Sequence, residues 1–250
     1  APIAFEGVLM MNTIVGKLLG LCAMSWLVAV SGPAQADKVS LVYVEDAPAP
    51  IGSITMQQIE TLAASDFTHV VFAFINLCTP PTGTASRPTC PGSAPVPVWN
   101  IGAAYQNYDG APFPEVQKAT KILTDAGKTL FLSIGAARNA ESWSYMASAS
   151  SADRATAIDK IITFMSDYHF TGVDFDYEAG PSEGFARMAE GLVSANPNIL
   201  FSSAPFETDP TASSPISTQW QYCTFQANGV TPTLINRQYY SGGGNNGKKK

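Results

Sequence analysis

The most constraining feature of the chain is a nine-residue stretch, FTGVDFDYE, at residues 170–178. In it, Asp174, Asp176 and Glu178 alternate with bulky apolar or aromatic residues. Because successive side chains of a strand point to opposite faces, the pattern predicts a β-strand with all three acids on one face. Crowded carboxylates raise one another's pKa, which costs a structural strand stability but suits a general acid. The stretch therefore predicts a catalytic strand.

Two other interpretations of these acids stay open. The acids could form the solvated face of an antiparallel strand, although the surrounding βα pattern indicates a parallel sheet covered on both faces. They could also bind Mg²⁺ or Ca²⁺, which prefer carboxylate ligands, although no further ligand cluster is evident nearby. The two histidines, His69 and His169, and the cysteines lack zinc-ligand spacing. We therefore expect no metal site.

Short apolar segments alternate with amphipathic ones after residue 37, which is typical of a parallel α/β fold. The predicted strands span residues 39–44, 68–76, 129–134, 172–177, 200–204 and 234–240. The predicted helices span residues 55–64, 114–126, 152–168, 183–194 and 217–227. Ser151 is expected to cap the third helix. Six βα units are two fewer than in a TIM-type (β/α)8 barrel, so we predict such a barrel truncated after its sixth strand.

The N-terminal residues have the features of a secretory signal. Lys17 supplies the positive charge, residues 18–30 form an apolar core, and the small residues Ala34 and Ala36 on either side of Gln35 form a cleavage site. The apolar core is too short to span a bilayer comfortably, which argues against a membrane anchor. We therefore expect the mature protein to begin near Asp37 and to be extracellular or periplasmic.

Three regions are expected along the chain. Residues 1–36 would be upstream residues and the signal, 37–241 a catalytic domain, and 242–250 a flexible or artificial tail. The formal net charge of −6 argues against nucleic-acid binding. No membrane association is expected after signal removal, and we expect a monomer.

The cysteines predict one disulfide. Cys78 and Cys90 bracket a loop rich in Pro, Thr and Gly, and in a secreted protein they plausibly close a bridge that staples this loop. Cys22 lies in the predicted signal, so Cys223 is left over.

Several segments of the sequence resemble motifs of a known family. Residues 172–178 resemble the signature of family 18 glycoside hydrolases, Asp-Gly-x-Asp-x-Asp-x-Glu on the fourth barrel strand. Four other segments resemble the second, third, fifth and sixth strands of that family in the right order: residues 68–74, 132–136, 203–206 and 238–240. The resemblance covers roughly residues 38–241. This sequence departs from the family at Thr171, which replaces the first Asp, and at Ala136, which replaces the second Gly of the third-strand motif.

The resemblance implies a retaining, substrate-assisted cleavage of β-1,4-linked N-acetylglucosamine polymers such as chitin, with no cofactor. It implies that Glu178 protonates the glycosidic oxygen and later activates water. The nucleophile would be the carbonyl oxygen of the substrate's own N-acetyl group. Asp176 would orient the acetamide, Asp174 would share a proton with Asp176, and Tyr240 would hydrogen-bond the acetamide oxygen.

Four further residues are candidates for substrate binding. Ser133 could support the first acid of the motif or simply fill the barrel interior. Gln238 could line the site or satisfy buried polar groups. Trp99, in the long loop from 77 to 110, and Trp143 could stack on sugar rings or pack against the body of the protein.

Two other functions stay open on the same residues. An endo-β-N-acetylglucosaminidase that acts on the core of N-glycans shares the fourth-strand pattern. A non-catalytic chitin-binding lectin could use the same fold, but such relatives typically lose the final Glu of the motif. The sequence retains it as Glu178, which favours an enzyme.

Overall fold

The computed structural model describes residues 39–78, 95–101, 104–106, 111–136, 140–205 and 215–238. The predicted signal, the predicted tail, Cys90 and Tyr240 lie outside these ranges. Within them, no helix combines the length and the apolar character that a membrane span requires. The described residues from 39 onward belong to one compact unit.

A single sheet of eight strands organises the fold. The strands are β1 (Leu41–Val44), β2 (His69–Cys78), β3 (Val96–Ile101), β4 (Ala104–Gln106), β5 (Thr129–Gly135), β6 (Gly172–Asp176), β7 (Leu200–Ser203) and β8 (Leu234–Ile235). Six of them pair in parallel in the order β1-β2-β5-β6-β7-β8. These six strands are the predicted ones, and they form a half-barrel. The predicted TIM-type architecture, truncated at six strands, is therefore confirmed.

The strands β3 and β4 form an antiparallel hairpin that the sequence analysis treated as part of a long loop. The first strand of this hairpin pairs antiparallel with the end of β2, from Ile75 to Cys78. It therefore continues the sheet beyond the point where β1 ends, on the same side of β2. Its residues, Val96–Ile101, include a proline and an asparagine, which weaken the strand signal in the sequence.

Six described helices cover the sheet: α1 (Met56–Ala63), α2 (Pro114–Asp125), α3 (Glu141–Ser148), α4 (Ser151–Asp167), α5 (Ser182–Ala195) and α6 (Thr218–Ala227). Five of them match predicted helices within two residues at each end. The exception is α3, a short helix rich in serine and aromatic residues, which are only moderate helix formers. Ser142, Trp143 and Met146 nevertheless give it a buried face.

The predicted cap of α4 is wrong by one residue. Ser150 is the N-cap, because its backbone is extended and its side-chain oxygen accepts a hydrogen bond from the backbone N–H of Asp153. Ser151 is already the first helical residue. Both serines fit the sequence rule for a cap, and only the backbone conformation distinguishes them.

Strand β6 separates two different environments. Its side chains Val173 and Phe175, with Tyr177 just beyond, join the hydrophobic core, whereas Asp174 and Asp176 are buried among polar groups. The side chains of β6 alternate between the two faces as the period-two pattern predicted. The aromatic side chains of the core contact one another at ring centroid distances of 4.8 to 6.2 Å. The helix side of the sheet is thus a packed apolar layer, and the inner side carries the acids.

Candidate active site

Asp174 is the most deeply buried group of the candidate site. In the pairing of β5, β6 and β7, Ser133, Asp174 and Ser202 stand at the same level. Oδ2 of Asp174 accepts hydrogen bonds from the hydroxyls of Ser133 (2.8 Å) and Tyr43 (3.1 Å), and Oδ1 accepts one from Ser202 (2.5 Å). Burial raises the pKa of Asp174, and the hydroxyl donors lower it in part.

Asp176 and Glu178 are joined by one side-chain amide. Nε2 of Gln238 donates to Oδ1 of Asp176 at 2.7 Å and to the backbone oxygen of Ala204 at 2.8 Å, and it lies 3.3 Å from Oε1 of Glu178. Burial, then the charge of Glu178, then that of Asp174 raise the pKa of Asp176 to about 8. Glu178, just past the end of β6, is half-buried, and burial raises its pKa as well.

The carboxyl ends of the strands enclose a cavity of about 400 Å³. Asp176 lines it together with residues from both edges of the half-barrel, among them Tyr43, Glu45, Phe74 and Gln238. In (β/α)8 barrels the active site opens at this end of the strands. The cavity therefore gives a bound molecule access to one of the three acids from the side where barrel enzymes bind their substrates.

The structure corrects the sugar-stacking assignments of Trp99 and Trp143. Their side chains are 1% and 0% exposed, so neither indole has a free face for a sugar ring. Trp99 packs against Phe72, Tyr168 and other rings of the core, and Trp143 packs against the aromatic residues on the helix side of β6. Burying such large apolar surfaces stabilises the fold, which explains why both indole rings lie in the core.

Other predicted site residues have different outcomes. Ser133 and Gln238 lie beside the acids, as described above. Tyr240 lies outside the described residues, so its role stays a prediction. Cys78 is disulfide-bonded and Cys223 is free and exposed, while the predicted partner, Cys90, lies outside the described residues. In the described part of the chain, no group of three or more His, Cys, Asp or Glu side chains is arranged for a metal ion.

Three polar residues of the site were missed by the sequence analysis: Tyr43, Ser202 and Asn236. Nδ2 of Asn236 donates to the hydroxyl of Tyr43 at 3.1 Å, and that hydroxyl donates to Asp174. The only hint that the sequence offered was that each of these residues lies in a predicted strand. Serine, tyrosine and asparagine are too common in strands and at their ends to stand out without the pairing of the strands.

A family model agrees with the geometry. The model of glycosyl hydrolases family 18 matches residues 42–225, which is well over half of the chain. The chain belongs to glycosyl hydrolase family 18. The matched range includes all three acids of β6 and its continuation. No curated protein sequence matches the chain.

Solved structures of family 18 share the fold. A fungal endo-β-N-acetylglucosaminidase is 19% identical, with a TM-score of 0.59 over 83% of this chain and 68% of its own. A chitinase from Pseudoalteromonas aurantia is 15% identical, with a TM-score of 0.53 over 82% of this chain and 68% of its own. A chitinase from Cycas revoluta, solved with (GlcNAc)3, is 16% identical, with a TM-score of 0.53 over 81% of this chain. This family 18 chain spans only 55% of that chitinase.

Proposed function

We propose that this family 18 protein is a secreted glycosidase that cleaves β-1,4-linked N-acetylglucosamine polymers with retention of configuration. The observation that carries the proposal is the group formed by Glu178, Asp176 and Gln238 at the carboxyl end of β6. Glu178 supplies a carboxyl beside Gln238, which lines the cavity, and its raised pKa favours the protonated form that a general acid needs. Asp176 supplies a second carboxyl within the reach of the same amide.

In the proposed reaction, Glu178 donates its proton to the glycosidic oxygen as the bond to the anomeric carbon breaks. The carbonyl oxygen of the substrate's N-acetyl group forms a new bond to that carbon, which gives a cyclic oxazolinium-type intermediate. Asp176 accepts a hydrogen bond from the acetamide N–H, and the single negative charge of the Asp174–Asp176 pair balances the developing positive charge. Glu178, now ionised, takes a proton from water as the water opens the ring, which restores the acid and the N-acetyl group.

The test replaces the acid without changing its shape. Glu178→Gln is expected to lower the rate on chitin oligomers by about 10²–10⁴-fold or more while oligomer binding persists. Glu60→Gln, at an exposed position of α1, is the matched control and should keep the activity. Full activity of Glu178→Gln would contradict the assigned role.

Two substrates separate the proposed reaction from its alternatives. Chitin oligomers and a high-mannose glycoprotein, tested in parallel, distinguish a chitinase from an N-glycan endoglycosidase. Binding without cleavage of either would indicate a lectin. A glucosamine oligomer without acetyl groups should not be cleaved, because the proposed nucleophile is missing, and rapid cleavage of it would rule out substrate assistance.

Secretion is proposed from the sequence of residues 1–36. N-terminal sequencing of material recovered outside the cytoplasm is expected to begin near Asp37. Recovery of the sequence around Lys17 from that material would contradict the cleavage site.

A further inference from the structure

We propose that Ser202 and Asn236 are positioning residues that hold the buried carboxylate of Asp174 in its charged form. The proposal rests on the proposed function, because it assigns Asp174 and Asp176 a shared proton in the working enzyme. It concerns two side chains that make no contact with Glu178, although Asn236 lines the cavity. Ser202 would act on Asp174 directly, and Asn236 would act both through its own amide and through the tyrosine that binds Asp174.

Ser202 acts directly. Its hydroxyl lies 2.5 Å from Oδ1 of Asp174, on the carboxylate oxygen opposite to the one that Ser133 and Tyr43 bind. Both Ser202 and Asp174 are fully buried, so water does not replace this bond when it is lost. Hydrogen bonds to a buried charged group are among the strongest in proteins, and an unmatched one is costly.

Asn236 acts through Tyr43. An amide N–H can only donate, so Nδ2 of Asn236 occupies a lone pair of the Tyr43 oxygen, 3.1 Å away. The hydroxyl proton of Tyr43 must then point elsewhere, and Oδ2 of Asp174 lies 3.1 Å from that oxygen. Burial raises the pKa of Tyr43, which keeps that proton in place. Asn236 therefore makes Tyr43 a donor to Asp174.

The result is a carboxylate with three hydroxyl donors, drawn from β1, β5 and β7. Among the described residues, four titratable or charged groups face the pair of acids. They are Tyr43 and Glu45 from β1 and its end, Glu178 beyond β6, and Arg237 beyond β8, which lines the same cavity. The strands β5 and β7 contribute only neutral serines to Asp174.

These donors determine which acid of the pair ionises first. Three donors stabilise the anion of Asp174, whereas Asp176 has the amide of Gln238 and faces the charges of Glu178 and Asp174. The first proton to leave the pair is therefore that of Asp174, and the shared proton stays on Asp176. Removing a donor from Asp174 raises the first pKa of the pair, because the anion loses stabilisation while the neutral form loses little.

The strand β7 provides a matched control. Ser203, the next residue, is also fully buried, but its hydroxyl donates to Oε1 of Gln221 on the helix side. Ser202→Ala and Ser203→Ala thus remove the same atom from adjacent buried positions on opposite faces of one strand. Only the first change touches the acids.

The readout is the titration of the carboxyl carbons of Asp174 and Asp176, measured by NMR on the full chain. Ser202→Ala is expected to raise the first pKa of the pair by about one unit, which is the effect of losing one charge-assisted hydrogen bond. Ser203→Ala should leave it unchanged, and Ser202→Thr, which keeps a hydroxyl, should restore it. An unchanged titration in a folded Ser202→Ala variant would overturn the role of Ser202.

Asn236 is tested in two backgrounds. Asn236→Ala should raise the same pKa in the parent chain and raise it by less in a Tyr43→Phe background, because part of its effect passes through the Tyr43 hydroxyl. An equal shift in both backgrounds would overturn the proposed path through Tyr43, and no shift in either would overturn the role of Asn236.

The pH profile of kcat/KM on chitin oligomers separates this proposal from the proposed function. If both hold, the acid limb of Ser202→Ala moves to higher pH by about the same unit as the NMR titration. A shifted titration in a chain that hydrolyses nothing would support the positioning role and contradict the proposed function. An equal loss of rate at every pH, with no movement of the limb or of the titration, would show a purely structural role for Ser202.

Discussion

The centre and the edges of the sheet are built differently. The central strands β5 and β6 are buried along nearly their whole length, whereas every residue of the edge strands β1 and β8 is only half-buried. At the centre, apolar side chains such as Phe175 fill one side, and acids held by hydrogen bonds fill the other. The edges add little to the core but contribute polar groups, Tyr43 and Asn236, to the site.

The central strands therefore stabilise the fold, whereas the edge strands supply the polar groups that complete the site. The two edges meet through a side-chain hydrogen bond, from Asn236 to Tyr43, across the interior of the half-barrel. Among the described strands, β1 pairs only with β2, and β8 pairs only with β7. The acids of the centre therefore depend for their environment on two strands that each pair on one side only.

The largest expected effect concerns the edges. A complete barrel closes its sheet, which removes exposed strand edges, whereas in the described part of the chain β1 and β8 each pair on one side only. We expect residues 37–250 alone to aggregate or to pack loosely, with weak activity at best. A version extended by two further βα units should be soluble and active.

Size-exclusion chromatography and urea unfolding of both versions test this expectation. If residues 37–250 unfold in one cooperative transition and cleave chitin at the rate of the extended version, the edges are not the weak part of the molecule.

The next effect concerns the apolar side of the centre. Phe175 is fully buried against Trp143, Phe185 and Phe225. Phe175→Ala is expected to lower the free energy of unfolding by about 3–5 kcal/mol, since it leaves a cavity in a packed layer. Urea unfolding measures the loss. Val39→Ala, at a position that is 49% exposed, should change stability by no more than about 0.5 kcal/mol.

The centre of the sheet was also the part best predicted from the sequence. The strands β2, β5, β6 and β7 are largely buried, and such strands are apolar and sharply bounded, so their positions could be predicted to within two residues. Period two also assigned the faces of β6 correctly. The hairpin β3–β4 and helix α3 could not be found, because their proline, serine and aromatic residues give weak periodicity. Their position depends on contacts with β2 and α5 that are distant in the chain.

The site was predicted only as far as local spacing reaches. The three acids lie within five residues, and their motif is visible in any reading of the sequence. Ser202 and Tyr43 lie 28 and 131 residues from Asp174, and only the pairing of the strands brings them to it. The opposite error affected Trp99, since an aromatic residue in a predicted loop does not reveal which way its ring faces.

The next effect is the pH dependence of stability that Asp176, on the polar side of the central strands, is expected to cause. Folding raises the pKa of Asp176 from 3.8 to about 8, so the folded state binds this proton more tightly than the unfolded chain. The stability that Asp176 contributes is therefore greatest below about pH 4, falls as the pH rises towards 8, and is constant above it. Asp176→Asn removes this slope but keeps an oxygen that can accept from Gln238.

The comparison is made by unfolding both proteins in urea at a series of pH values. Relative to the parent chain, Asp176→Asn should gain stability as the pH rises from 4 to 8, by up to about 1.4 kcal/mol for each pH unit. A difference that stays constant with pH would show that Asp176 titrates alike in both states.

The smallest effect lies where β5 meets the end of β6. The backbone N–H of Ala136 donates to the backbone oxygen of Asp176 at 3.1 Å, and Ala136 has a φ of 94°, a region that disfavours residues with a Cβ. Ala136→Gly should therefore raise the free energy of unfolding by up to about 1 kcal/mol, since relief of strain exceeds the entropy that glycine adds to the unfolded chain. Ala126→Gly, at an exposed position with a φ of −80°, has no strain to relieve and should be neutral or destabilising. Thermal unfolding of the two variants gives opposite signs if the strained junction is real, and a loss of stability in both would mean that the end of β6 is held without strain.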